Sequence, residues 1–240
     1  MIQKYINLAI QAIGISLKDS QICRLVKQVK HKRLTYLDYQ ALFDIVETLQ
    51  KSRNKVKGIY IEAGTARGGS AIIIASVKPP ETDFYLFDTF SQIPSPTEQD
   101  GVDVHERYEL IKSGKAQGLG SQLYYGYQHD LLTQVKKNFS ELGIDVYENR
   151  IIFKQGLFQD TMLIKQPVAF AHIDCDWYES VKYCLHQIIP NLQIGGTTVI
   201  DDYFHWSGCK LAVDEFVSTF DKINKYRILY KSRMHIQRIA

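Results

Sequence analysis

The 240-residue chain is long enough for one large α/β domain and short for two generous ones. Its apolar fraction of 45% and charged fraction of 23% are those of an ordinary globular protein. No apolar run approaches the roughly 18 residues that a transmembrane helix needs, and a formal net charge of +3 is too small to indicate a polyanionic partner.

The opening residues Met1–Tyr5 lack the order of a secretory signal, so a cytoplasmic protein is expected. The first 31 residues carry helical periodicity through Ile6, Ile10, Ile13, Ile22, Leu25, Val26 and Val29. The basic cluster Lys27, Lys30, Lys32 and Arg33 reads as a solvated face, because no nucleic-acid recognition motif accompanies it. A second helix is expected after Thr35, with Leu37, Ala41, Ile45, Val46 and Leu49 on one face and Thr35 and Asp38 spaced as a capping box. These helices form an N-terminal segment, residues 1–56, ahead of a main domain at 57–240.

From Gly58 the texture changes to short strands alternating with helices. Strands are expected at Gly58–Glu62, Phe84–Asp88, Ile151–Lys154, Val168–Asp174 and Thr197–Asp201. Helices are expected at Ser70–Val77, Tyr178–Ile189 and Lys210–Phe220, and a last antiparallel pair at Arg227–Tyr230 and His235–Ile239. This alternation implies a mostly parallel sheet covered on both faces, with ligands beyond the carboxyl ends of its strands. The polar stretch Ser91–Asp130, with Pro94, Pro96, Gly101, Gly114, Gly118, Gly120 and several tyrosines, is a functional lid or a disordered segment.

The strand ends carry the chemistry. Glu62-Ala63-Gly64-Thr65-Ala66-Arg67-Gly68-Gly69-Ser70 is a tight strand-to-helix turn that lets a ligand approach the backbone. It does not match the dinucleotide fingerprint, and an acid before it would repel a pyrophosphate while suiting the amino group of S-adenosylmethionine. Asp88, one strand later, can accept both ribose hydroxyls; on its own it would also serve as a turn or cap residue. Asp174, Asp176, Asp201 and Asp202 converge at two strand ends. They would repel one another unless a cation compensates them, and oxygen-only ligands suit Mg2+, Ca2+ or Mn2+. Capping of the following helices is the alternative. The cysteines, Cys23, Cys175, Cys184 and Cys209, show neither zinc spacing nor a CxxC pair and read as reduced thiols. His205 is a possible base or a surface residue, and Trp177, Tyr203 and Trp206 wall a pocket or fill the core.

Taken in order, Arg33–Tyr36, Glu62–Ser70, Phe87–Phe90, Gly156–Thr161, Asp174–Ser180, Pro190–Gly196, Asp201–Tyr203, Gly208–Lys210 and Ala212–Glu215 make the sequence resemble the macrocin O-methyltransferase (TylF-like) family. The resemblance implies a class I (Rossmann-like) methyltransferase fold with a mostly parallel seven-stranded sheet, N-terminal helices and a lid insertion at 91–130. It implies S-adenosylmethionine and Mg2+ (or Mn2+) as cofactors. Asp174, Asp201 and Asp202 match the metal ligands and Asp176 the general base. Leu34, Thr35, Glu62, Ala63, Gly64, Thr65, Ala66, Ser70, Asp88, Thr89, Gly156, Phe158, Asp160 and Asp174 match the cofactor site. Gln92, Cys175, Ile173 and Trp177 depart from the family's usual residues. The implied acceptor is a small molecule, a sugar of a glycosylated natural product, with a catechol as the alternative; a catalytically silent cofactor-binding protein is the rival outside the enzymes. No nucleic-acid or membrane partner is expected, and a homo-oligomer is possible.

Overall fold

The computed structural model describes residues 20–219 and 225–240. The part of the expected N-terminal helix at Ile6, Ile10 and Ile13 lies outside them. The first half of the chain forms α1 (Ser20–His31), α2 (Tyr39–Ser52), β1 (Ile59–Ala63), α3 (Gly69–Val77), β2 (Phe84–Asp88), α4 (Val102–Lys112) and α5 (Leu131–Glu141). The second forms β3 (Ile151–Gln155), α6 (Phe158–Thr161), β4 (Val168–Ile173), α7 (Tyr178–Ile188), β5 (Leu192–Ile200), α8 (Ser207–Ser218), β6 (Tyr226–Tyr230) and β7 (Met234–Arg238).

The seven strands lie in the order β3-β2-β1-β4-β5-β7-β6. Strands β1 to β5 are parallel and β7 is antiparallel to both its neighbours. Because β1 and β4 are buried at every residue, alternate side chains feed two different cores. Tyr60, Phe170 and Val199 face the core built with α1, α2, α3 and α5, where Val26, Ile45, Ile72 and Phe139 are fully buried. Ile61, Ala171 and Ile200 face the opposite core, with Val181 and Leu185 of α7 and Val213 of α8. Helix α3, Gly-Ser-Ala-Ile-Ile-Ile-Ala-Ser-Val, is apolar on every side, as a helix wedged between a sheet and α1 and α2 must be.

Three expectations need correction. The Thr35–Asp38 capping box does not form: Asp38 is itself the N-cap of α2, accepting from the Ala41 N–H at 2.8 Å, while Thr35 Oγ1 accepts from Leu37 N–H. Strand β5 begins at Leu192 rather than Thr197, because Gly195 at φ +84° carries the chain through a register shift that keeps it beside β4. Of the two readings of 91–130, disorder falls: the stretch holds a regular helix, α4, whose Val104 and Ile111 enter a small core with Tyr124 and Trp177.

Strand order reverses between β1 and β4, and this switch point opens the crevice in which the chemistry-bearing residues meet.

Candidate functional site

At the end of β1 the chain turns through Gly64, whose φ is +89°. A Cβ there would run into the Asp174 carbonyl, so β1 and β4 approach this closely only with glycine. Asp88, closing β2, shapes the loop from the other side. Its Oδ2 accepts the N–H groups of Thr65 (2.6 Å) and Ala66 (2.9 Å), and its Oδ1 accepts Phe90 N–H at 2.6 Å. Thr89 Oγ1 lies 3.4 Å from Oδ1. Gly69, opening α3, donates its N–H to Leu34 O at 3.1 Å, and a side chain there would meet Leu34 and Thr35. The Leu34–Thr35 turn is thereby docked on the glycine loop.

Glu62 and His172 face each other on adjacent strands with no exposure at all; Glu62 Oε1 is 3.0 Å from His172 Nδ1. Burial drives the Glu62 pKa up and works to lower that of His172, but the neighbouring Asp201 and Glu62 carboxylates overrule burial and raise His172 to about 10. Glu62 Oε2 is buried without a hydrogen-bond partner among the described residues.

Beyond β4 and β5, Asp174, Asp201 and Asp202 each offer a carboxylate oxygen within 4.8 Å of the others'. Arg233, in the β6–β7 turn, donates Nε to Asp201 Oδ1 at 2.7 Å. Burial acts to raise the Asp201 pKa, but His172 and Arg233 hold it below the ordinary range. For Asp174 and Asp202 nothing comparable opposes burial and the neighbouring acids, so both rise well above that range. Asp176 takes the left-handed backbone conformation, φ 60°, rare outside glycine and typical of strained functional positions. Its N–H donates to Asp202 Oδ2 at 3.2 Å. Burial and Asp201 raise its pKa to about 6, against the Trp206 indole and Arg107, which favour the charged form.

Two cavities open on these residues, of about 290 and 330 Å³. Gly64, Asp88, Asp174, Asp176 and Tyr125 line both and form the wall between them. The first also contains Leu34, Thr35, Thr65, Ala66, Ser70, Asp201, Asp202 and His205, closed in by Tyr36, Tyr124, Trp177 and Trp206. Thr89, Gly156 and Phe158 line the second, with Ile93 and Pro94. Three of the expected residues line neither: Glu62 and Ala63 are buried beneath the loop, and Asp160 is exposed on α6, where Gln159 reaches the cavity instead. Tyr203 turns away towards Tyr230 and Asp214. Arg233, Arg107 and Tyr125 were not anticipated. Only the clustering of tyrosines in 91–130 hinted at the last.

Residues 29–226 match the family described as Macrocin-O-methyltransferase (TylF). The chain belongs to the macrocin O-methyltransferase family. Among curated relatives, a demethyldecarbamoylnovobiocin O-methyltransferase of Streptomyces niveus is 26% identical over 77% of this chain and 68% of its own length. An 8-demethyl-8-(2,3-dimethoxy-α-L-rhamnosyl)-tetracenomycin-C 4'-O-methyltransferase of Streptomyces olivaceus is 29% identical over 77% of this chain and 65% of its own length. The chain therefore spans about two thirds of these relatives. The solved O-methyltransferase NovP superposes with a TM-score of 0.66 at 24% identity, covering 86% of this chain and 83% of that one. The fold is that of the class I, Rossmann-like methyltransferases. Among the described residues no helix is long and apolar enough to cross a membrane.

The residues present fit the groups this family implies. Three carboxylates, Asp201 and Asp202 buried and Asp174 partly so, two of them disfavoured as anions by their surroundings, form an all-oxygen donor set suited to a hard divalent cation. For the cofactor, the fit rests on a loop that only glycine allows at Gly64 and Gly69 and on a Glu62 oxygen at its base with no hydrogen-bond partner among the described residues.

Proposed function

We propose that this family member transfers a methyl group from S-adenosylmethionine to a hydroxyl of a small glycosylated natural product, assisted by Mg2+ or Mn2+ held by Asp174, Asp201 and Asp202. One observation carries the reading: the three convergent carboxylates line the first cavity beside Asp176, which together with Asp174 stands on the wall shared with the second. The sugar acceptor is supported by the rhamnosyl-directed relative.

In this reading the second cavity takes the nucleoside, with Asp88 and Thr89 at the ribose and Gly156 and Phe158 at the base. Leu34, Thr35, Gly64–Ala66 and Ser70 border the methionine end, where Glu62 supplies negative charge from below. The cation, when bound, supplies the positive charge that lowers the pKa of an acceptor hydroxyl. Asp176 takes the hydroxyl proton on its carboxylate, which Trp206 and Arg107 keep in the charged form. Tyr125 and Trp177 exclude water, and placing both reactants across one wall supplies orientation. Residues 57–240 then form the methyltransferase domain, with 91–130 its lid and α1 and α2 an N-terminal extension, in a cytoplasmic protein with reduced thiols.

The test is methyl transfer to a rhamnose-bearing glycoside and to a catechol, with and without chelator. Metal-dependent gain of one methyl by the glycoside is expected; cofactor binding with no transfer to any hydroxyl would leave a silent binding protein. Asp176→Asn should retain Mg2+ and lose about 10²–10⁴-fold in rate, since asparagine also tolerates the left-handed backbone. If added Mg2+ rescues that variant, the base lies elsewhere and His205 is the first candidate.

A further inference from the structure

Two guanidinium groups, one lining the first cavity and one in the groove beside it, make no ion pair among the described residues. Arg107, on α4, lines the cavity half-buried, its guanidinium carbon 5.5 Å from the Tyr124 ring centroid. Among the described residues it makes neither an ion pair nor a hydrogen bond; Asp176 feels its charge without pairing with it. Arg67, in the glycine loop, is also half-buried and without an ion pair, and its Nε is buried with no hydrogen-bond partner among the described residues. It lines an adjoining open groove with Lys32 and Arg33, and Leu34 belongs to both the groove and the cavity. Tyr36, 46% exposed, marks the mouth, and both guanidiniums act electrostatically on its phenol.

A guanidinium stripped of part of its water and given no anion is costly, and its planar fork is matched by carboxylate and phosphate oxygens. The metal site does not use these charges, because Asp201 already has Arg233 and His172. We propose that Arg107 and Arg67, both close enough to act on the Tyr36 phenol, form an oxyanion-binding site at the mouth of the acceptor cavity, and that the acceptor carries a phosphate or carboxylate beyond the hydroxyl that is methylated. The inference rests on the reading of that cavity as the acceptor site.

Steady-state kinetics with three acceptors sharing one sugar test it: a sugar nucleoside diphosphate, a carboxylate-bearing glycoside and a neutral glycoside. Arg107→Gln and Arg67→Gln should each lower the preference for an anionic over the neutral acceptor by about 10- to 100-fold, the scale of a lost charge-assisted hydrogen bond. The loss should appear mainly in KM, and the lysine variants should recover part of it. Which anionic acceptor suffers separates phosphate from carboxylate. Equal losses on anionic and neutral acceptors, or a shifted acidic limb of the pH–rate profile with preference unchanged, would overturn the proposal and assign Arg107 to Asp176. A fall in S-adenosylhomocysteine affinity with acceptor KM unchanged would overturn it too, identifying the cofactor's carboxylate as the anion. Should no acceptor be methylated, the broader functional reading fails. Calorimetry with pyrophosphate on folded wild type and Arg107→Gln would still decide: binding weakened by the substitution supports the site, and equal or absent binding refutes it.

Discussion

The Asp88 carboxylate accepts three backbone N–H groups, from Thr65, Ala66 and Phe90, so it holds the glycine loop as well as facing both cavities. Oδ2 is filled by its two N–H donors, but Oδ1 has room for a further donor, which leaves the ribose assignment open to it. Removing the side chain therefore has two effects that a sequence reading runs together. Asp88→Asn sets an amide N–H₂ against a backbone donor and should reduce stability as well as cofactor affinity, each by about 1–3 kcal/mol. Calorimetry for S-adenosylhomocysteine and thermal unfolding measure the two separately; a variant with full stability and weakened binding would show that the loop does not depend on Asp88. The acid at a strand end was legible in Phe87-Asp88-Thr89. Its loop contacts were not, because they require β1 and β2 to pair with Ala63 opposite Phe87.

At the scale of elements, the 91–130 insertion is tied to the two helices that follow the acid-bearing strand ends. Helix α7 has no side-chain cap of its own; instead Asp100 Oδ1 accepts the N–H of Tyr178, its first residue, at 2.8 Å. Asp103 accepts from Ser207 N–H at the start of α8 at 3.0 Å, and the Trp177 indole donates to Pro94 O at 3.0 Å. A carboxylate at a helix N-terminus satisfies an otherwise unpaired donor and complements the helix dipole. Asp100→Ala should accordingly cost about 0.5–2 kcal/mol and speed hydrogen exchange across α4, even without ligand. Exchange in α4 that is unaffected by the substitution would show that the insertion is held elsewhere. With these anchors, ligand-induced protection should be greatest in 114–125, beyond α4, where Arg33 reaches Ser121 and Leu119 O.

For the molecule as a whole, the crevice concentrates negative charge. Burial and mutual repulsion raise Asp174 and Asp202 well above the ordinary carboxylate range, and Asp176 to about 6. Groups whose folded pKa exceeds the unfolded one favour the fold while protonated. Their contribution is complete below the unfolded carboxylate range, about 4, and is lost as pH rises through the folded values. The metal-free protein should thus lose stability between about pH 4 and beyond pH 6, and a bound divalent cation should restore it. At pH 7.5, Mg2+ at a hundred times Kd should add about 2.7 kcal/mol, or roughly 5–10 °C in Tm for a chain of this size, and less at pH 5. Asp202→Asn should remove most of that increment. A Tm indifferent to Mg2+ at pH 7.5 would refute the cation site.

Local pattern determined most of this protein. Alternating apolar runs and helical periods specify the parallel sheet, because a strand buried on both faces is apolar at most positions, the paired Glu62 and His172 being the exceptions. The glycine loop, Asp88, Asp174, Asp176, Asp201 and Asp202 were legible because each sits at or just past a strand end, and parallel strands bring their carboxyl ends to one edge. Tertiary structure decided the rest. Arg233 meets Asp201 because β7 pairs antiparallel with β5, setting Met234 beside Ile200. Arg107 and Tyr125 reach the cavity on an insertion that is anchored 78 residues further along the chain. Glu62 is beneath the loop because its register partner His172 holds it there. Contacts of this kind depend on strand register and on long-range capping, and neither leaves a periodic trace in the sequence.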